Sequence, residues 1–121
     1  MRIVTISNQK GGVGKTTTAV NLSSCLAELG CRVLLVDLDP QANATSGLGL
    51  AQEEGGSLYS ALVDDADPTM AVRSTRLENL YIIRSHQELA GCEIELAQSG
   101  NHLTRLRDVL NKLKNAGHFD F

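Results

Sequence analysis

The 121 residues suffice for one small domain, and 42% apolar with 21% charged residues predict a globular core. A net charge of −3 argues against a surface built mainly to hold nucleic acid, although it is compatible with a local basic stripe. Three cysteines without CxxC or Cys/His spacing favour buried thiols in a reducing compartment over a metal site. No apolar run approaches the ~20 residues of a membrane-spanning helix, and the sequence predicts a cytoplasmic protein.

The start of the chain predicts a strand, a helix and a second strand. Residues 2–7 are apolar and β-branched, as in a strand buried on both faces. From Thr16 the pattern is helical, and Gly30 stands where a helix-ending glycine belongs. The predicted buried face of this helix carries three leucines: Leu22, Leu26 and Leu29. Residues 32–37 predict a second buried strand, which a single crossover helix would make parallel to the first.

The rest of the chain predicts short helices, one more strand and a final amphipathic helix. Residues 38–56 form a long polar and glycine-rich loop, a length that is usually functional or mobile. Two helix starts have capping residues, namely Ser57 and Asp67 with Pro68 after it. Residues 80–83 predict a third strand, and residues 89–96 a short helix. Asn101 is expected to cap a last helix with four leucines on one side: Leu103, Leu106, Leu110 and Leu113.

A glycine-rich turn lies between the first strand and the first helix. Its sequence is Asn8-Gln9-Lys10-Gly11-Gly12-Val13-Gly14-Lys15-Thr16-Thr17-Thr18. Glycines let backbone N–H groups turn inward, and the start of a helix adds partial positive charge, which together suit a nucleotide phosphate. The strict P-loop pattern requires glycine at position 9, where this chain has Gln9, but the Gly-Lys-Thr that ends the pattern is present.

With a lysine before its glycines, this loop is similar to the deviant Walker A box of the ParA/Soj branch of the MinD/ParA family of P-loop ATPases. The resemblance extends to residues 36–41, 43–49, 78–80 and 88–96. It implies an α/β fold of the P-loop NTPase type, with a doubly wound, mainly parallel sheet and flanking helices. It also implies ATP and Mg²⁺ as ligands and a role in chromosome or plasmid partitioning.

Two carboxylates follow the second strand, at the end where the phosphate site is expected. Alternate residues of a strand share a face, so Asp37 and Asp39 can both face the phosphates if the strand extends that far. One carboxylate can orient water around Mg²⁺ and the other can position the attacking water. The resemblance implies that Asp39 is the hydrolytic residue and that Asp37 lies near the water shell of the metal.

The resemblance also implies roles for the loop residues. The nucleotide-binding set comprises Lys10, Gly11, Gly12, Val13, Gly14, Lys15, Thr16 and Thr17. Lys15 is expected to reach the outer phosphates, Thr16 to ligate Mg²⁺, and Thr17 to cap the helix and touch the α-phosphate. Lys10 is expected to reach the ATP of the partner in a homodimer, with the charge logic of an arginine finger supplied in trans.

The sequence stops at Phe121, where by resemblance the Walker B strand would begin. We therefore expect residues 1–121 to be the N-terminal part of a ParA-like domain truncated after about three strands. In the intact parent, non-specific DNA and a ParB-type stimulator are the implied partners, and no membrane is. The alternative is a non-catalytic nucleotide-binding or self-associating fragment with little turnover, because strands exposed by truncation invite pairing.

The last helix carries a row of cations: Arg105, Arg107, Lys112 and Lys114. Such a row can bind DNA, but it is more often the solvated side of an amphipathic helix, and we favour the second interpretation.

Overall fold

The computed structural model describes residues 1–7, 14–100, 102 and 104–121. These residues form five α-helices, two 3₁₀ helices and three strands. In chain order the elements are α1 (Lys15–Glu28), β1 (Val33–Val36), α2 (Asn43–Gly47), α3 (Tyr59–Val63), a 3₁₀ helix (Pro68–Ala71), β2 (Arg73–Ser74), β3 (Leu80–Ile83), a second 3₁₀ helix (Gln87–Gly91), α4 (Cys92–Ala97) and α5 (Arg105–Ala116). Within those described ranges, no helix is long and apolar enough to cross a bilayer.

The three strands form one mixed sheet in the order β1-β3-β2. β1 and β3 are parallel, with Val33 opposite Leu80 and Val36 opposite Ile83. The pair β2–β3 is antiparallel, and its two-residue strand was not predicted from the sequence. The strands predicted at 32–37 and 80–83 are therefore confirmed, and the fold is α/β as expected.

The prediction of a buried strand over residues 2–7 is wrong for this structure. No strand is formed in the described residues 1–7, and Ile3 and Val4 are 53% and 58% exposed. The N–H of Arg2 donates to the carbonyl of Asp120 at 2.9 Å. Asp120 and its neighbours also bond to Arg32 of the segment entering β1, so the end of the chain lies between residues 1–7 and the sheet. A strand forms only where a hydrogen-bond ladder to an extended neighbour runs along it, and the residues around Asp120 are too few to provide that neighbour for residues 2–7.

The first helix buries a different face from the one predicted. Ser23 and Ala27 are the buried residues, whereas Leu22 is 41% and Leu29 81% exposed. Leu26 is half-buried against the cluster of Ala27 and two strand residues. Small side chains let the helix approach β1 closely, so leucine spacing alone does not identify the packed face.

Two local signals at the element ends are confirmed. Gly30 has a φ of 90°, and its N–H donates to a carbonyl one turn back, which ends α1. The Asp67 carboxylate accepts the N–H of Thr69 at 3.0 Å and caps the first 3₁₀ helix as predicted. The Ser57 hydroxyl oxygen accepts the N–H of Tyr59 at 3.1 Å, but the N-cap position of α3 is held by the next residue, Leu58.

Two hydrophobic clusters lie on the sheet. The larger joins β3, α3, α4 and α5, with these buried residues: Leu58, Ala61, Leu62, Ala71, Ile83, Cys92, Val109 and Leu113. The last helix begins at Arg105, and its predicted cap Asn101 and the first leucine, Leu103, lie outside the described residues. The prediction that the cysteines are buried is confirmed for Cys92 and wrong for Cys25, which is exposed.

Candidate functional site

The described part of the predicted phosphate loop is the start of α1. Gly14 precedes the helix with a φ of 84°, a left-handed conformation that favours glycine over any residue with a Cβ. Its carbonyl accepts the N–H of Thr18 at 2.9 Å, which closes the first helical turn. The other predicted loop residues, Lys10, Gly11, Gly12 and Val13, lie outside the described residues.

The first turn of α1 presents the groups that an anion needs. Lys15 and Thr17 are exposed and Thr16 is half-buried. Over residues 14–28, no side chain caps the N-terminus of the helix and no acidic residue lies in its first turn. Backbone N–H groups and the positive end of the helix dipole are thus available to a phosphate.

One groove of about 900 Å³ brings the predicted site residues together. Lys15, Thr16, Asp37 and Asp39 all line it, although they come from the start of α1 and from the loop after β1. Residues 1–7 and leucines of α1 and α5 form its apolar walls. The predicted convergence of the lysine, the hydroxyl and both carboxylates on one surface is present in the fold.

Asp37 is a buried carboxylate with three hydrogen-bond donors from the protein. Its Oδ2 accepts the N–H of Thr45 at 2.9 Å and the Thr45 hydroxyl at 2.6 Å. The other oxygen, Oδ1, accepts the N–H of Asp39 at 3.1 Å, and the residue is only 4% exposed. A carboxylate has about four lone-pair positions, so little of this one remains for another ligand.

Asp39 is half-buried and its carboxylate is oriented by its own loop. Oδ1 accepts the N–H of Gln41 at 3.0 Å, and Oδ2 accepts the side-chain amide of Asn43 at 3.1 Å. β1 ends at Val36, and although the Asp37 N–H still donates to the carbonyl of Ile83 in β3 at 3.1 Å, the strand does not extend to Asp39, which lies in the turn that follows. Asp37 and Asp39 both line the same groove nevertheless.

Sequence reasoning missed the residues that hold this turn, namely Asn43, Thr45 and Ser85. Asn43 and Thr45 belong to the 43–49 stretch that carried the resemblance, but nothing in their residue type indicates a bond to Asp37 or Asp39. Ser85 follows β3, and its hydroxyl donates to the carbonyl of Asp39, 46 residues earlier. No local pattern predicts a contact of that sequence separation.

No group of three or more His, Cys, Asp or Glu residues that could hold a metal ion occurs in the described residues. A dedicated all-protein metal cage is therefore not formed by this part of the chain. Mg²⁺ does not require one, because it commonly keeps several waters and binds through nucleotide phosphates with one or two protein groups. The half-buried hydroxyl of Thr16, at the rim of the groove beside Lys15, suits such a site.

The basic face of α5 is largely engaged with acidic residues. Lys112 Nζ lies 2.8 Å and Arg105 3.1 Å from Oδ1 of Asp65. The Arg105 side chain also donates to the carbonyl of Leu62 at 2.8 Å, at the end of α3. These bonds hold the pKa of Asp65 below its usual range, with the Lys112 hydrogen bond as the largest cause. Arg105 thus ties α5 to α3, which favours a structural role for it.

Comparison with known proteins gives consistent matches. A family model described as an AAA domain matches residues 1–121. The sporulation initiation inhibitor protein Soj of Bacillus subtilis is 52% identical over 114 residues, which cover 93% of this chain and 45% of that protein. The chromosome partitioning protein ParA of Myxococcus xanthus is 47% identical over 121 residues, 99% of this chain and 42% of that protein. The chain therefore spans less than half the length of these relatives.

Solved structures share the fold of the chain. Cobyrinic acid a,c-diamide synthase from Mycobacterium smegmatis, with bound ATP analog and magnesium, superposes with a TM-score of 0.83 at 38% identity. The match covers 94% of this chain and 46% of that one.

Proposed function

We propose, from the premise that the chain belongs to the AAA-domain family and is similar to Soj and ParA proteins, that it binds Mg²⁺·ATP at the N-terminus of α1. The observation that supports this proposal is the single groove lined by Lys15, Thr16, Asp37 and Asp39. A solved structure of similar fold with an ATP analog and magnesium supports the same ligands.

The loop residues would hold the phosphates. We propose that the Lys15 ammonium pairs with the outer phosphates and that the backbone N–H groups of residues 11–14 surround them. Thr17 would touch the α-phosphate, and Lys10 would reach the nucleotide of a second copy. The Thr16 hydroxyl would ligate Mg²⁺, which when bound neutralises charge on the phosphates.

The two carboxylates would have different tasks. Asp39 stands in the groove with a fixed carboxylate, and we propose that it positions the attacking water. Asp37 has most of its lone-pair positions occupied by Thr45 and Asp39, so we propose that it acts at the metal only through a metal-bound water. Its main task would then be to hold the turn that carries Asp39.

Isothermal titration with Mg²⁺·ATP tests the binding proposal. The wild-type chain should bind, and Lys15→Ala should weaken binding by on the order of tenfold or more, because the phosphates lose a charged partner. Lys114→Ala is the matched control, since Lys114 is an exposed lysine near the end of α5 and should leave the affinity unchanged. Absence of binding by the wild-type chain, or equal affinities for the two variants, would contradict the proposal.

For the cellular role we propose partitioning of a chromosome or plasmid through nucleotide-dependent dimerisation and binding to non-specific DNA. The names of the curated relatives support this role. It also implies a ParB-type stimulator and a cytoplasmic, nucleoid-associated protein. Co-sedimentation with random-sequence duplex DNA, with and without ATP, tests this role. The chain should sediment with the DNA only when ATP is present, and the bound fraction should fall as the salt concentration is raised.

The apolar groove favours a second candidate, self-association without catalysis. Ile3 and Val4 are more than half exposed beside a groove with leucine walls, a surface that a second copy can cover. Light scattering at increasing protein concentration should then show a dimer or larger species, and Val4→Glu should restore the monomer. A monomeric wild-type chain at high concentration without nucleotide would rule this candidate out.

A further inference from the structure

A closed ring of hydrogen bonds begins and ends on the main chain of Asp39. The Asp39 N–H donates to Asp37 Oδ1 at 3.1 Å, and Asp37 Oδ2 accepts the Thr45 hydroxyl at 2.6 Å. The Thr45 oxygen accepts the N–H of Ser85 at 3.0 Å, and the Ser85 hydroxyl donates to the Asp39 carbonyl. The three residues that hold Asp39 are buried: Asp37 is 4% exposed, and Thr45 and Ser85 are both 0% exposed.

We propose that Thr45 is a positioning residue that fixes Asp39 in the groove, an inference that rests on the role proposed above for Asp39. The Thr45 hydroxyl donates its one hydrogen to Asp37 and accepts from Ser85, so it holds two adjacent links of the ring. Its backbone N–H adds a further bond to Asp37 at 2.9 Å. Thr45 thereby ties together the ends of β1 and β3 and the short helix α2.

The ring holds the main chain of Asp39 against the end of β3. Of the two partners of its carboxylate, Gln41 belongs to the same turn, whereas Asn43 is the first residue of α2, so the Asn43 side-chain amide senses a displacement of Asp39 relative to that helix. Asp37 is already joined to β3, because its N–H donates to the carbonyl of Ile83 at 3.1 Å, and the ring extends this connection to both main-chain polar groups of Asp39, through Asp37 and Ser85. A displacement of about 1 Å at a reacting group can reduce the rate about 100-fold, so a loosened ring should affect hydrolysis more than binding.

Three variants test the role of the hydroxyl. Thr45→Val keeps the shape and removes both hydroxyl bonds, whereas Thr45→Ser keeps them. Thr69→Val is the matched control, because Thr69 also donates its hydroxyl and its N–H to an aspartate, Asp67, at 2.7 and 3.0 Å, but in the first 3₁₀ helix. Comparing Thr45→Val with Thr69→Val separates the effect of opening the ring from the general effect of removing a hydrogen bond between a threonine and an aspartate.

NMR measures the position of Asp39 without nucleotide. In Thr45→Val, amide exchange at Asp39 and Ser85 should accelerate by on the order of tenfold, while the β1 and β3 amides remain protected. The side-chain amide of Asn43, which reports the Asp39 carboxylate, should shift to its solvent-exposed resonance position. Thr45→Ser and Thr69→Val should both resemble the wild type. Unchanged exchange and an unchanged Asn43 resonance in Thr45→Val would overturn the proposal.

Turnover supplies a readout that a purely structural role would not change selectively. Single-turnover hydrolysis of bound Mg²⁺·ATP by Thr45→Val should slow by about tenfold or more, with Kd within about twofold, and Thr45→Ser should restore the rate. A parallel loss of affinity and rate would overturn the proposal. If the wild-type chain does not bind ATP, the proposed function fails and the NMR comparison alone decides. Should Thr45→Val not fold, Ser85→Ala opens the ring at the Asp39 carbonyl and takes its place.

Discussion

Replacement of Asp37 by asparagine tests whether this carboxylate holds the fold together. The two side chains have the same shape, but an amide has one acceptor oxygen where the carboxylate has two. If that oxygen keeps both Thr45 donors, the new amide group faces the N–H of Asp39, so one buried donor is left unsatisfied. Such a donor costs roughly 1–3 kcal/mol, and each bond to a charged acceptor that becomes neutral loses about 1 kcal/mol. Asp37→Asn should therefore lower the free energy of unfolding by about 3 kcal/mol or more.

Urea denaturation followed by circular dichroism measures this loss. With an m-value of about 1.5 kcal/mol/M, typical of a small domain, the midpoint should fall by about 2 M. Asp64→Asn is the control, because the exposed Asp64 undergoes the same chemical change at the end of α3 and should alter stability by less than about 0.5 kcal/mol. Equal midpoints for Asp37→Asn and the wild type would refute the reasoning, since the three bonds to Asp37 would then contribute nothing.

Three further predictions concern residues outside the groove. The pKa of Asp65 is lowered, chiefly by the hydrogen bond from Lys112, so the Asp65 carboxylate stabilises the fold above pH ~3.8 and this stabilisation is lost as the pH falls through the folded-state pKa. Asp65→Asn should therefore weaken the dependence of the melting temperature on pH, measured by thermal melts between pH ~2 and ~5. The hydrogen bond to Glu95 raises the pKa of Tyr59 to about 12, so the free energy of unfolding should decline as the pH rises from ~10 to about 12. An absorbance titration should show one tyrosine that ionises near the upper end of this range, and Tyr59→Phe should abolish that transition. Leu58 is 0% exposed, and Leu58→Ala should cost about 2–5 kcal/mol in urea denaturation; a loss below about 1 kcal/mol would mean that its site collapses around the smaller side chain.

Local chemistry in the sequence was sufficient for much of this description. Gly30 adopts the left-handed conformation that its place at the end of α1 predicted, and the Asp67 cap and the strand at residues 80–83 are present as expected. Each of these features depends on interactions within a few residues, or on a run apolar enough to be buried whatever packs on it. The family could also be recognised from the sequence, because the glycine-rich loop and the Asp37–Gln41 stretch are contiguous motifs.

Only the tertiary structure decided which neighbours each segment has. Residues 2–7 have the composition of a buried strand, yet Ile3 and Val4 are exposed because no complete ladder lies beside them. The ring through Thr45 and Ser85 joins positions 40 residues apart, and no spacing rule indicates such a pair. The sequence by itself determined the short-range features and the glycine-rich motif that resembles a phosphate loop, since those depend on adjacent residues. The position of Asp39 depends on contacts between elements distant in sequence, and these exist only once the chain has folded.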